Sequence, residues 1–135
     1  MELQLKIAGF LLVLLAMLHL VFPKYFKWDK ELNNLSLINK EMMYVHTFFI
    51  GLMVLLMGLL CLSSSTEMAG TKLGKNIALG LFVFWGTRLL IQFYGYSSLN
   101  WKGKRFETSV HIFFTLLWIY FSAVFFWVYW GNVNG

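Results

Sequence analysis

Residues 77–95 read IALGLFVFWGTRLLIQFYG, a run of apolar side chains interrupted by a single charge, Arg88, and a single amide, Gln92. A run of this length is close to the ~20 residues a helix needs to cross a hydrocarbon layer of ~30 Å. Three further stretches of the same kind lie at about 3–22, 42–62 and 109–130. They are too long for strands and lack period-two alternation, and an open sheet would leave backbone groups unsatisfied in lipid. The sequence therefore predicts an all-α integral membrane protein, an antiparallel four-transmembrane-helix bundle formed by one domain over residues 1–135.

Composition agrees. The 135-residue chain is 59% hydrophobic, 19% aromatic and 13% charged, whereas about a quarter of the residues of a soluble domain are charged. The net charge of +5 does not indicate nucleic-acid binding, because Lys and Arg sit in short runs between the apolar stretches rather than along one polar face. Cys61 is the lone cysteine, so no disulfide framework or CxxC motif exists. The first stretch does not read as a cleaved signal: Lys6 is offset by Glu2, and no small-x-small site follows the apolar run.

The linkers differ in character. Pro23 is expected to stop the first helix; after it Trp28, Leu32, Leu35 and Ile38 recur at helical spacing among Lys27, Lys30, Glu31 and Asn34, which predicts a short interfacial helix over about 25–38. Residues 63–76 are small and polar and predict a simple turn; the Gly70–Gly74 spacing lies inside it and does not read as a span-packing motif. In the third linker Tyr96, Trp101 and Phe106 alternate with Lys102, Lys104 and Arg105, the composition of an anchor at the headgroup level. Linkers 1 and 3 together carry Lys24, Lys27, Lys30, Lys40, Lys102, Lys104 and Arg105, against Lys6, Lys72 and Lys75 on the opposite side. The positive-inside bias then places linkers 1 and 3 in the cytoplasm and both termini outside.

Ionisable residues within the spans are few: His19, His46, Arg88 and His111, with Gln92 and Glu107 beside them. Such residues are costly in lipid and by default mark function. At 1.5 Å per residue the three histidines all fall within roughly 3–6 Å of the linker-1/linker-3 boundary, with Arg88 roughly 10 Å below the end of its span. On the last span Glu107, His111, Thr115, Trp118 and Ser122 form one stripe, and Trp85, Arg88 and Gln92 form the comparable line on the third.

Two site readings follow. In the first, His19, His46 and His111 converge as ligands of a transition metal or as a haem site, with Glu107 in support, in a membrane oxidoreductase. The plainer alternative for each histidine is a bond to a neighbouring carbonyl. In the second, Arg88 and Gln92 hold the polar head of a lipid- or quinone-like molecule among Trp85, Phe84 and Trp118, since a guanidinium fork suits such heads. Small size with no soluble domain also favours a homo-oligomer or an accessory place in a larger membrane complex. Met42, Met43, Met53 and Met57 read as gap-fillers and Cys61 as a small buried hydrophobe. No nucleophile motif, phosphate loop or intramembrane carboxylate pair is present.

Overall fold

A computed structural model describes residues 1–95, 103 and 105–132. The described residues form helices and no strand: α1 Glu2–Tyr25, α2 Trp28–Glu31, α3 Leu37–Ser63, α4 Ser65–Gly70, α5 Lys72–Tyr94 and α6 Arg105–Gly131. Helices α1, α3, α5 and α6 are each long and apolar enough to cross a membrane. Most of their large apolar side chains are exposed, among them Phe48, Phe49, Leu56, Val83 and Phe113. An exposed apolar surface of that extent suits lipid and not water.

The helix ends differ from the expected ones because hydropathy reports the apolar length while capping sets the end. Pro23 does not stop α1, which runs on to Tyr25. A proline in the last turn forfeits one backbone bond at a place where the ladder is already ending. The stop comes at Lys27, whose φ of 54° places it in the left-handed region. The interfacial helix expected over about 25–38 is likewise not formed as such. One helical turn, Trp28–Glu31, has no buried residue. Ser36 then accepts from the Asn39 N–H (3.4 Å) as the N-cap of α3, so Leu37 and Ile38 belong to that helix. Asn33, Asn34 and Ser36, residue types that favour turns and caps over helix interiors, occupy the intervening segment.

Contacts divide the chain into two compact units, Lys6–Ser64 and Met1–Leu5 with Ser65–Gly135. In the first, α1 and α3 approach through glycine. A Cβ built on Gly9 would lie 2.8 Å from the Gly58 carbonyl, and one on Gly58 would lie 2.8 Å from the Gly9 carbonyl. Further along, a Cβ on Gly51 would meet His19 Cβ at 2.9 Å, so positions rising along α1 meet positions falling along α3. Leu12, Leu15, Ala16, Val54 and Cys61 are buried there.

The second unit is built on α5 and α6. Phe82 meets Phe126, Trp85 meets Trp118 and Phe121, and Gln92 meets His111, again in opposite chain order. Phe121, Phe125 and Val128 are fully buried. Residues 63–76 are more than a turn, because α4 packs back on α5. Gly74 makes this possible: a Cβ there would collide with the backbone of Glu67 and Met68. Thr71 caps α5 by accepting from the Gly74 N–H (2.9 Å), and Asn132 at the end of α6 donates to the Met68 and Thr71 carbonyls (3.0 and 2.7 Å). About three turns before the end of α6, Tyr120 donates to Gln4 Oε1 (2.8 Å).

Candidate functional site on the α5–α6 pair

The polar lines of α5 and α6 meet at Gln92, whose side chain is 4% exposed. Its Oε1 accepts from Arg88 Nη1 (3.3 Å) on its own helix and from Trp118 Nε1 (3.2 Å) on α6. Its Nε2 donates to the His111 carbonyl (3.3 Å) and to Thr115 Oγ1 (3.3 Å) and lies within hydrogen-bond distance of His111 Nδ1 (3.0 Å). Thr115 in turn donates to the His111 carbonyl (2.7 Å). One amide thus joins four side chains from two helices. Arg88 and Gln92 are a turn apart, which is why they face the same way.

Aromatic rings wall this network. The Arg88 guanidinium carbon stands 4.9 Å from the centre of the Trp118 ring, a cation–π geometry strengthened where water is excluded. Trp85 stacks on Trp118 at 5.3 Å and 16°, and Phe114 stacks on it at 5.6 Å and 25°. Arg88 is half-buried, whereas Trp85 and Trp118 are buried. Trp85 Nε1 and Ser122 Oγ are buried without a hydrogen-bond partner among the described residues.

The expected histidine metal site finds no support. Among the described residues no group of three or more His, Cys, Asp or Glu side chains could hold a metal ion. His19 Nδ1 bonds the Leu15 carbonyl (2.9 Å) and His46 Nδ1 the Met42 carbonyl (2.8 Å), each one turn back on its own helix. His46 is exposed and His19 half-buried, while His111 is bonded to Gln92. Common depth placed the three in one layer, but helix rotation decides what an imidazole meets, and spacing does not supply it. Glu107 is exposed in the first turn of α6, where a carboxylate favours the helix dipole.

Of the expected site residues, the structure gathers Arg88, Gln92, Trp85, Trp118 and His111. Thr115 was visible on the polar stripe of α6, but its bond to Gln92 was not. Phe114, one turn before Trp118, carried no sequence signal beyond its aromatic character. No protein-family model, no curated protein and no solved structure matches the chain.

Proposed function

We propose that this is a small integral membrane protein whose four apolar helices form one antiparallel bundle, with linkers 1 and 3 in the cytoplasm. Its α5–α6 pair binds the electronegative head of a membrane amphiphile through Arg88. The observation that carries this reading is the placement of Arg88: a permanent charge in an apolar helix, half-buried, resting on Trp118 and sharing Gln92 with His111. Guanidinium does not deprotonate in proteins, so the charge persists within a span, where charge is costly. A fork of donors held in place by a ring and an amide is suited to phosphate or carboxylate oxygens.

Between a lipid and a quinone, the aromatic packing favours the lipid. Stacking on Trp118 would be the natural seat for a quinone ring, but Arg88, Trp85 and Phe114 already stand over that ring. The metal or haem reading has no comparable support once His19 and His46 are bonded to their own helices.

The test is the small-molecule complement of protein purified in mild detergent. Wild-type protein is expected to retain an amphiphile bearing phosphate or carboxylate, seen by mass spectrometry of the extract. Arg88→Met is expected to keep its helicity and lose that molecule. An unchanged complement in the mutant would remove Arg88 from the site. A Soret band or stoichiometric metal in the wild type would restore the histidine reading.

A further inference from the structure

The α1–α3 pair carries a groove of its own. Ala16, His19 and Leu20 on α1 and Phe48, Leu52 and Leu55 on α3 line a volume of about 130 Å³. Gly51 lines it too, and its lack of a side chain lets the α3 backbone come up to His19, whose Cβ would stand 2.9 Å from a Cβ at that position. An apolar cavity of ~150 Å³ holds benzene, so the groove has room for one six-membered ring and not for a fused system. His19 brings the one side-chain nitrogen or oxygen in that lining. Its Nδ1 lies 2.9 Å from the Leu15 carbonyl, and a carbonyl only accepts, so Nδ1 carries a proton. Nε2 of the neutral ring is then a lone pair, which no partner meets among the described residues. The Leu15 bond and the Phe22 ring, 5.0 Å away between centres, hold the imidazole in place.

That lone pair decides what fills the groove. A lipid acyl chain would satisfy the apolar walls and leave an acceptor unmet in hydrocarbon, which is costly. A carbonyl, as in a quinone head, would set acceptor against acceptor. A hydroxyl donates, and a phenolic hydroxyl donates best because it is the more acidic kind. Its ring also matches the volume of the groove and meets the Phe48 ring as aromatic partners do. The groove has a direction as well. His19 lies within two turns of the linker-1 end of α1, and Ala16 and Leu55 lie deeper in their helices. A ring hydroxyl at His19 therefore leaves an alkyl substituent running toward mid-span, as an amphiphile lies in a leaflet. We propose that the α1–α3 groove is a second ligand site, which takes the phenolic head of a single-ring membrane amphiphile, its hydroxyl donating to His19 Nε2. This site draws on no residue of the α5–α6 pair.

The probes are 4-hexylphenol and its methyl ether, 4-hexylanisole, which share ring and chain and differ in the donor. Each is titrated at about pH 8 into phosphatidylcholine nanodiscs holding the full chain, with its concentration counted per lipid. Binding is read from the ¹³C-methyl resonance of Met17, which lines the groove, against that of Met68, which is buried elsewhere. The Met17 signal is expected to shift saturably while Met68 stays still, with the phenol bound about fivefold more tightly than the ether, as one net hydrogen bond supplies. His19→Phe keeps a ring and loses the lone pair, so the two probes should bind it equally. Leu52→Trp fills the groove from a partly exposed wall position and should abolish the saturable shift for both. Should His19→Phe fail to fold, the two probes on the wild type and on Leu52→Trp still decide. Equal affinities in the wild type, or a preference for the phenol that survives in His19→Phe, overturn the bond to His19. A Met17 shift that never saturates, or one unchanged in Leu52→Trp, overturns the groove as a site. Binding of 1-decanol as tight as that of the phenol overturns the assignment to a ring.

Discussion

Glycines in apolar helices look alike in the sequence, yet the structure separates them by what surrounds them. Gly58 faces the Gly9 carbonyl and Val13, whose Cγ2 would be 2.9 Å from an added Cβ. Gly80 has nothing within 4 Å. Gly58→Ala must push the α1 backbone away and should cost about 1–3 kcal/mol, as overpacking does. Gly80→Ala meets no obstacle and gains the helix propensity that glycine lacks, about 1 kcal/mol at most. Thermal unfolding in one detergent should move the two midpoints in opposite directions. Equal shifts would mean that the Gly9–Gly58 approach does not hold the pair together. A second single-atom case is Ser122, whose buried Oγ has no partner among the described residues. Ser122→Ala removes an unmet polar group at little change in volume, so stability should stay level or rise by about 1 kcal/mol. A loss greater than that would reveal a partner for the hydroxyl.

At the scale of elements, the ends of the helices carry more design than their apolar middles. Asn132, 5% exposed, donates to both the Met68 and Thr71 carbonyls and so fastens the end of α6 to the α4–α5 corner. Asn132→Ala takes the side-chain donor from the Met68 carbonyl and leaves the Thr71 carbonyl with the Lys75 N–H alone, and should cost about 1–3 kcal/mol. Hydrogen exchange should then quicken at the Lys75 amide, which bonds the Thr71 carbonyl, while α5 near Trp85 stays protected. Uniform protection would show that Gly74 and the Thr71 cap hold the corner unaided. None of this corner was legible beforehand. Ser65–Gly70 is short and polar, without the periodicity that identifies long helices, and a capping asparagine finds its carbonyls only once the fold exists. The four spans were legible because about 20 apolar residues have few alternatives. Their ends were not: α3 begins at Leu37, because Ser36 caps it well before the apolar run starts. The candidate site divides in the same way. Arg88, Gln92, Trp118 and His111 could be named because a charge or amide in an apolar helix demands partners. The three-histidine grouping rested on depth alone, and an imidazole one turn from a carbonyl of its own helix has a nearer partner.

For the whole molecule, the distribution of charge predicts orientation. A span of 27 residues such as α3 or α6 is about 40 Å long at 1.5 Å per residue, some 10 Å more than the hydrocarbon layer. Helices of that length are long enough to reach both headgroup regions, where flanking lysines and arginines can meet lipid phosphate. Seven of these cations belong to linkers 1 and 3 and three to the opposite side, and Lys and Arg near span ends set orientation by their excess on the cytoplasmic face. Asn34, in linker 1, and Thr66, in α4, are both exposed and suited to labelling. Cys61 is fully buried, and its replacement by alanine leaves a background without thiols. With single cysteines at Asn34 or Thr66 in that background, an impermeant maleimide applied to intact cells should label Thr66→Cys and leave Asn34→Cys untouched until the membrane is opened. The reverse pattern would invert the molecule and place the positively charged linkers outside. Labelling of both positions from one side would be the graver result, because it requires an even number of crossings between residues 34 and 66, and α3 alone supplies one.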